Sequence, residues 1–234
     1  MNAQDVRHPA GWAAAARRQT GRVTADHYFS AEPAAPAQRG EIEFSVAGRN
    51  YRLAVASGVF SAARLDPGTT VLLRKAELPG GELHPPRRTG AGGTFLDLGC
   101  GYGPIACVLA TEAPHATVWA VDVNSRAREL TAENAGRLGL AGRVRVAAPD
   151  EVPPDLEFDQ IWSNPPTHVG KADLHAMVER WLPRLVPGGV AWLVINRHLG
   201  GDSLHAWLVA RGWVVDRVAS QKGFRVLRVD RAAG

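Results

Sequence analysis

This chain of 234 residues is poor in cysteine, with only Cys100 and Cys107. Two thiols make neither a disulfide framework nor the spacing of a zinc site. Neither has a base beside it in the sequence, so both read as small buried residues in a reduced, cytoplasmic compartment. Long apolar runs are missing too: none approaches the roughly 18 residues that span a bilayer, so no membrane partner is expected. Residues 1–21 lack the apolar centre of a secretory leader. No charge sign dominates, since 27 Lys and Arg stand against 23 Asp and Glu for a net charge of +4. That balance excludes a polycationic tail. The basic excess gathers late: within 204–234, Arg211, Arg217, Lys222, Arg225, Arg228 and Arg231 oppose only Asp216 and Asp230. Such an edge can meet phosphate or can simply be a solvated strand face.

At 45% hydrophobic residues the chain can fill a sizeable core. Residues 1–26 show no sustained period and read as an irregular extension. Residues 27–92 form a second region. It begins at His27-Tyr28-Phe29-Ser30, an aromatic pair that anchors a polar arm. It continues through an alternating stretch over 41–55, in which Ile42, Phe44 and Val46 are answered by Tyr51, Leu53 and Val55 across Ala47-Gly48-Arg49-Asn50. This is a β-hairpin pattern. Asp66-Pro67-Gly68 reads as a turn, and a Pro-, Gly- and Arg-rich linker over 79–93 leads into the main domain, 93–234.

There, strands are expected at 94–98, 117–121, 143–147, 158–163, 189–195, 213–218 and 223–229. Helices are expected at 103–112, 125–138, 172–182 and 203–210. Alternation of this kind gives a parallel sheet covered on both faces. The last two strands are separated only by 219–222, too little for a parallel crossover, so they pair antiparallel. Leu174, Met177, Val178, Trp181 and Leu182 form the core stripe of one helix, and Pro183 ends it.

The chain is organised around Thr94-Phe95-Leu96-Asp97-Leu98-Gly99-Cys100-Gly101-Tyr102-Gly103-Pro104, an apolar strand that breaks into glycines and then a helix. Glycines let the backbone turn sharply and approach a ligand, and the helix start offers free N–H groups. A dinucleotide site needs G-x-G-x-x-G, but Pro104 holds the last position. No lysine follows the glycines, which excludes a P-loop. Asp97-x-Gly99-x-Gly101-x-Gly103 resembles the first motif of class I S-adenosylmethionine methyltransferases, whose acid sits near the methionine amino group.

Asp122 ends the second strand 25 residues after Asp97, followed by Val123. An acid there can accept both ribose hydroxyls; it can also cap the next helix, although Asn124 and Ser125 already supply caps. Asn134 falls on the inner face of that helix, where a buried amide must be hydrogen-bonded and braces a neighbouring loop. Asp150 closes the third strand region, either as an adenine contact by resemblance or as a surface acid.

After the fourth strand comes Ser163-Asn164-Pro165-Pro166-Thr167-His168. Two prolines stiffen a loop at the ligand crevice. The stretch resembles the Asn-Pro-Pro-aromatic motif of amino-group methyltransferases, in which the asparagine orients a planar NH₂. That implies catalytic roles for Asn164, Pro165 and Pro166, with Asn164 also beside the cofactor. His168 is a candidate for proton removal or phosphate contact. Arg197 is a candidate phosphate ligand or a structural ion-pair partner.

Together with Gly58-Val59-Phe60-Ser61 and Asp66-x-Gly68-Thr69, these stretches are similar to the RsmC/RlmG-type ribosomal RNA guanine-N2 methyltransferases over about residues 27–229. The resemblance implies a Rossmann-like doubly wound sheet with a C-terminal antiparallel hairpin. It also implies S-adenosylmethionine as cofactor and ribosomal RNA or the small ribosomal subunit as partner. Its cofactor residues would be Asp97, Gly99, Gly101, Gly103, Asp122, Val123, Asp150 and Asn164. Two departures stand out. The N-terminal methyltransferase-like domain of those enzymes has no counterpart here. The aromatic that stacks on the base is Thr167, which cannot stack, so Tyr28, Phe60 or Trp162 would have to replace it. A protein glutamine amide or a small-molecule amine is the other substrate class, and a binding module without turnover is the non-enzymatic alternative.

Overall fold

The structure is a computed structural model that describes residues 38–61, 63–79, 92–165, 170–197 and 200–231. It opens with a two-stranded antiparallel sheet, β1 (Arg39–Val46) and β2 (Arg49–Ala56). The turn is only Ala47-Gly48, with φ of 51° and 74°, the left-handed pair that a two-residue hairpin turn requires. Arg49 and Asn50, expected in the turn, instead pair with Val46 and Ser45. On the buried face Phe44 and Tyr51 stack with ring centroids 5.2 Å apart.

Asp66-Pro67-Gly68 is not a simple turn. It starts helix α1 (Pro67–Lys75), where the Asp66 carboxylate accepts from the Thr69 N–H at 2.9 Å and Pro67 takes the first helical position. Proline is preset for that place because its missing N–H would be unpaired there anyway.

The main sheet holds β3 (Thr94–Leu98), β4 (Thr117–Val121), β5 (Val144–Ala147), β6 (Phe158–Ser163), β7 (Leu185–Asn196), β8 (Val214–Gln221) and β9 (Phe224–Asp230). Its order is β5-β4-β3-β6-β7-β9-β8. The first five are parallel, while β9 runs antiparallel to both neighbours. Chain direction across the sheet reverses between β3 and β6, the switch point outside which ligands bind in such folds. The expected doubly wound sheet with an antiparallel hairpin is therefore what the chain forms.

Two boundaries differ from expectation. β7 begins at Leu185 rather than 189, because Leu185 pairs with Phe158 before the register shifts; Pro187-Gly188-Gly189 had the look of a strand break. The β8–β9 link shrinks to Lys222-Gly223, with φ of 51° and 79°. Residues 219–221 extend β8 instead.

Among the described residues the layers are completed by α2 (Pro104–Glu112), α3 (Ser125–Arg137), α4 (Lys171–Trp181), a 3₁₀ turn at Leu182–Arg184, and α5 (Gly201–Val209). Strand alternation sends Phe95, Val118, Trp162 and Trp192 into a core shared with the hairpin, α1, α2 and α3. Leu96, Leu98, Ile161 and Leu193 go to the opposite face, under α4 and α5. No described helix is long and apolar enough to cross a membrane.

Candidate active site

At the carboxyl ends of β3, β4 and β6 lies a crevice. It brings together Gly99, Gly101, Asp122, Val123 and Asn164 from the expected site, joined by Asp66, Thr69, Tyr102 and Phe60.

The glycine turn is built for close approach. Gly99 and Gly101 have φ of 77° and 58°, and a Cβ on either would meet no atom of the described residues within 4 Å. Gly103 does different work: its φ is 87°, and a Cβ there would come 2.9 Å from Thr131. It allows α2 to start against α3 and does not line the crevice. Two α3 side chains brace the turn. Thr131 donates to the Gly101 carbonyl at 2.9 Å. Asn134 donates to the Tyr102 carbonyl at 2.8 Å and to the Ala54 carbonyl at 2.9 Å, and it accepts from the Ala54 N–H at 2.7 Å. The buried amide therefore fastens both the hairpin and the glycine turn to one helix.

Asp97 is sealed beneath this turn. One oxygen accepts from the Ala106 N–H at 2.8 Å, serving the α2 start that Gly103 cannot cap. The other, Oδ1, is buried with no hydrogen-bond partner among the described residues. Burial pushes its carboxyl up to about 8, partly offset by that N–H and reinforced by the Asp122 charge. Asp122 is half-buried and accepts from Gly101 at 2.9 Å and from Asn124 at 2.9 Å. Burial raises it to about 6, against those N–H groups and Arg128. Asn124, not Asp122, caps α3. Both cysteines are buried and their thiols pushed up by burial, as inert residues are.

A loop closes one side of the crevice. Asn124 donates to the Gly58 carbonyl at 3.0 Å and Arg126 to the Ser57 carbonyl at 2.9 Å. Val59 and Phe60 are thereby held on the lining. Of the rings considered as substitutes at the base site, Trp162 is fully buried against Trp192 and unavailable, whereas Phe60 lines the crevice. Tyr28 lies outside the described residues, with the rest of His27–Ser30.

Asn164 follows β6 and points its amide nitrogen at Asp66 (2.6 Å) and at the Thr69 hydroxyl (2.9 Å). Pro165 is buried behind it; Pro166, Thr167 and His168 lie outside the described residues. Asp150 is not brought to this crevice. Its exposed carboxylate pairs with Arg180 at 2.8 Å. The late basic residues are mostly neutralised: Arg211 pairs with Glu179, Arg217 and Arg225 with Asp202, Arg228 with Asp230.

Residues 50–228 match the Methyltransferase small domain family. The chain belongs to this family. Over 209 residues, 88% of this chain and 98% of the relative, it is 31% identical to the uncharacterized protein YbxB of Bacillus subtilis. It is 40% identical over 149 residues to the ribosomal RNA small subunit methyltransferase C of Hahella chejuensis, covering 61% of this chain but only 39% of that relative. Among solved structures it is similar to the T. thermophilus 16S rRNA N2 methyltransferase (RsmC) in complex with AdoMet and guanosine. The TM-score is 0.68 at 25% identity, covering 85% of this chain and 52% of that one.

The cofactor of this methyltransferase-family chain is S-adenosylmethionine, and the residues present fit it. The buried Asp97 oxygen, without a hydrogen-bond partner among the described residues, is an acceptor that a cationic group can use. Gly99 and Gly101 leave open space where side chains would stand, and Asp122 keeps acceptor capacity beside it.

Proposed function

We propose that the protein methylates an exocyclic amine, guanine N2 of ribosomal RNA, in the cytoplasm. The observation that carries this reading is the state of Asn164. Both hydrogens of its amide are directed at Asp66 and Thr69, and none of the described residues donates to its Oδ1. Since Asn164 lines the crevice, that oxygen is left as an acceptor for a planar NH₂. S-adenosylmethionine, when bound, supplies a methyl group on a positively charged sulfur. The protein supplies position: Asn164 takes one hydrogen of the amine and so orients the nitrogen lone pair. Such placement does not need a strong base. In the same reading Asp97 holds the ammonium group of the cofactor, Asp122 its ribose hydroxyls, and Gly99, Gly101 and Val123 flank it.

The RNA part of the reading is supported by the crevice rim and by Phe60. Arg197 and Lys222 are exposed, and neither has an acidic partner among the described residues. The Arg197 N–H reaches the Gly223 carbonyl at 2.7 Å, and the Phe224 ring lies against Gly68. Arg197 and Lys222 therefore stand beside the α1 end of the crevice, as a phosphate backbone passing the mouth would need. Phe60 provides a ring where Thr167 cannot. Thr167 itself favours the second reading, a protein glutamine amide or small amine.

The purified protein, incubated with labelled cofactor and unmodified ribosomal RNA, is expected to place the label on guanine as N2-methylguanosine. Asn164→Ala should bind the cofactor within about twofold of the parent and lose most turnover, because its contact is made with the reacting group. Label on a protein glutamine instead of RNA would select the second reading.

A further inference from the structure

Asn164 is fastened to an element that sequence reading left outside the site. Its amide donates to Asp66 Oδ2 at 2.6 Å, a short bond to a charged acceptor, and to Thr69 Oγ1 at 2.9 Å. The same Asp66 oxygen accepts from the Thr69 N–H at 2.9 Å. Asp66 and Thr69 are 8% and 4% exposed, so water does not compete freely for either bond. Capping a nine-residue helix calls for one acceptor, which a serine supplies about as well as an aspartate. The second bond, to Asn164, exceeds that need.

Space is kept for it. A Cβ on Gly68 would come within 2.9 Å of Asp66 Oδ2 and within 2.9 Å of the Phe224 ring. Any side chain at 68 would push the carboxylate off Asn164 or lift α1 away from β9. Asp66, Gly68 and Thr69 thus form a unit whose shape is set by where the Asn164 amide must lie.

We propose that Asp66, assisted by Thr69, is a positioning residue for the methyl-transfer reaction. It holds the Asn164 amide nitrogen away from the crevice so that Oδ1, the acceptor, faces the substrate amine. An unheld amide can rotate about its last bond and present its NH₂ to the substrate, donor against donor. The inference rests on the proposed role of Asn164, and its main readout does not depend on the RNA.

Asp66→Ser keeps the helix cap and is too short to hold Asn164; Asp66→Asn keeps an oxygen able to do both. The Asn164 side-chain NH₂ signals in an amide NMR spectrum are identified by their disappearance in Asn164→Ala. They should be well dispersed and slowly exchanging in the parent and in Asp66→Asn, and collapse toward free-amide positions in Asp66→Ser. Affinity for S-adenosylmethionine should stay within about twofold. On ribosomal RNA, kcat should fall roughly ten- to 150-fold in Asp66→Ser, the range of a charged hydrogen bond, and Asp66→Asn should restore most of it. If Asp66→Ser does not fold, Thr69→Val deletes one acceptor while keeping the cap N–H, and the same signals should shift. Unmoved Asn164 signals in Asp66→Ser, or in Thr69→Val where it is the variant that folds, would overturn the proposal. If the parent proves inactive on RNA, the function reading fails by itself and the amide signals still decide this one.

Discussion

At the scale of single residues, Asp97 shows how burial sets chemistry. Its carboxyl, pushed up to about 8, is protonated at pH 7 in the free protein. A cationic ammonium arriving at the unpartnered Oδ1 favours the carboxylate, so the pKa falls on binding and a proton leaves. Affinity for S-adenosylmethionine should therefore rise with pH and level off near 8. Titration calorimetry at pH 7 in buffers of different ionisation enthalpy should detect proton release, and Asp97→Asn should abolish it. Binding with no proton exchange would contradict the ammonium role. In the empty protein the sign is also fixed: the folded pKa exceeds the unfolded value of about 3.9. Asp97 then stabilises the fold fully below that value, and the contribution is lost as pH rises toward 8. The type and spacing of Asp97, Gly99, Gly101, Asp122 and Asn164 were enough to single them out as candidates, and the fold brings the last four to one crevice with Asp97 buried nearby. Asp66 was not legible in the same way. Its partner lies 98 positions away, and Asp-Pro-Gly has the composition of an ordinary turn.

At the scale of elements, α3 is the post to which the crevice is tied. Asn134 alone makes three buried bonds, to both backbone groups of Ala54 and to Tyr102. Asn134→Ala leaves those groups buried without partners, at about 1–3 kcal/mol each if none finds water. A loss of roughly 2–4 kcal/mol is expected, read as a lower urea midpoint with an unchanged slope. A change below about 0.5 kcal/mol would mean that the hairpin is held by apolar packing instead. The bracing role of Asn134 followed from helical spacing, since a buried amide on an inner face has to find partners. The identity of those partners did not, because strand-to-helix docking is a long-range fact. Likewise the strand pattern gave β3, β4 and β6 their bounds, while Pro187-Gly188-Gly189 concealed the start of β7. Local punctuation is read correctly only where no neighbouring strand overrides it.

At the scale of the whole molecule, the sheet order places an acid from β3, an acid after β4 and an amide after β6 around one switch point, with Val59, Phe60, Asp66 and Thr69 from the 57–61 loop and α1 start completing the lining. The parallel sheet and its antiparallel end were visible in the alternation of strands and helices and in the short link between the last two strands. The contribution of α1 was not, since its start was hidden as a turn. We propose that this crevice serves methyl transfer to guanine N2 of ribosomal RNA. Mass mapping of modified nucleosides in ribosomal RNA from cells with the gene, without it, and carrying Asn164→Ala tests it most directly. One N2-methylguanosine should be present in the first and absent from the other two. An unchanged guanine map across all three, or loss of a methyl group from a protein glutamine instead, would contradict it.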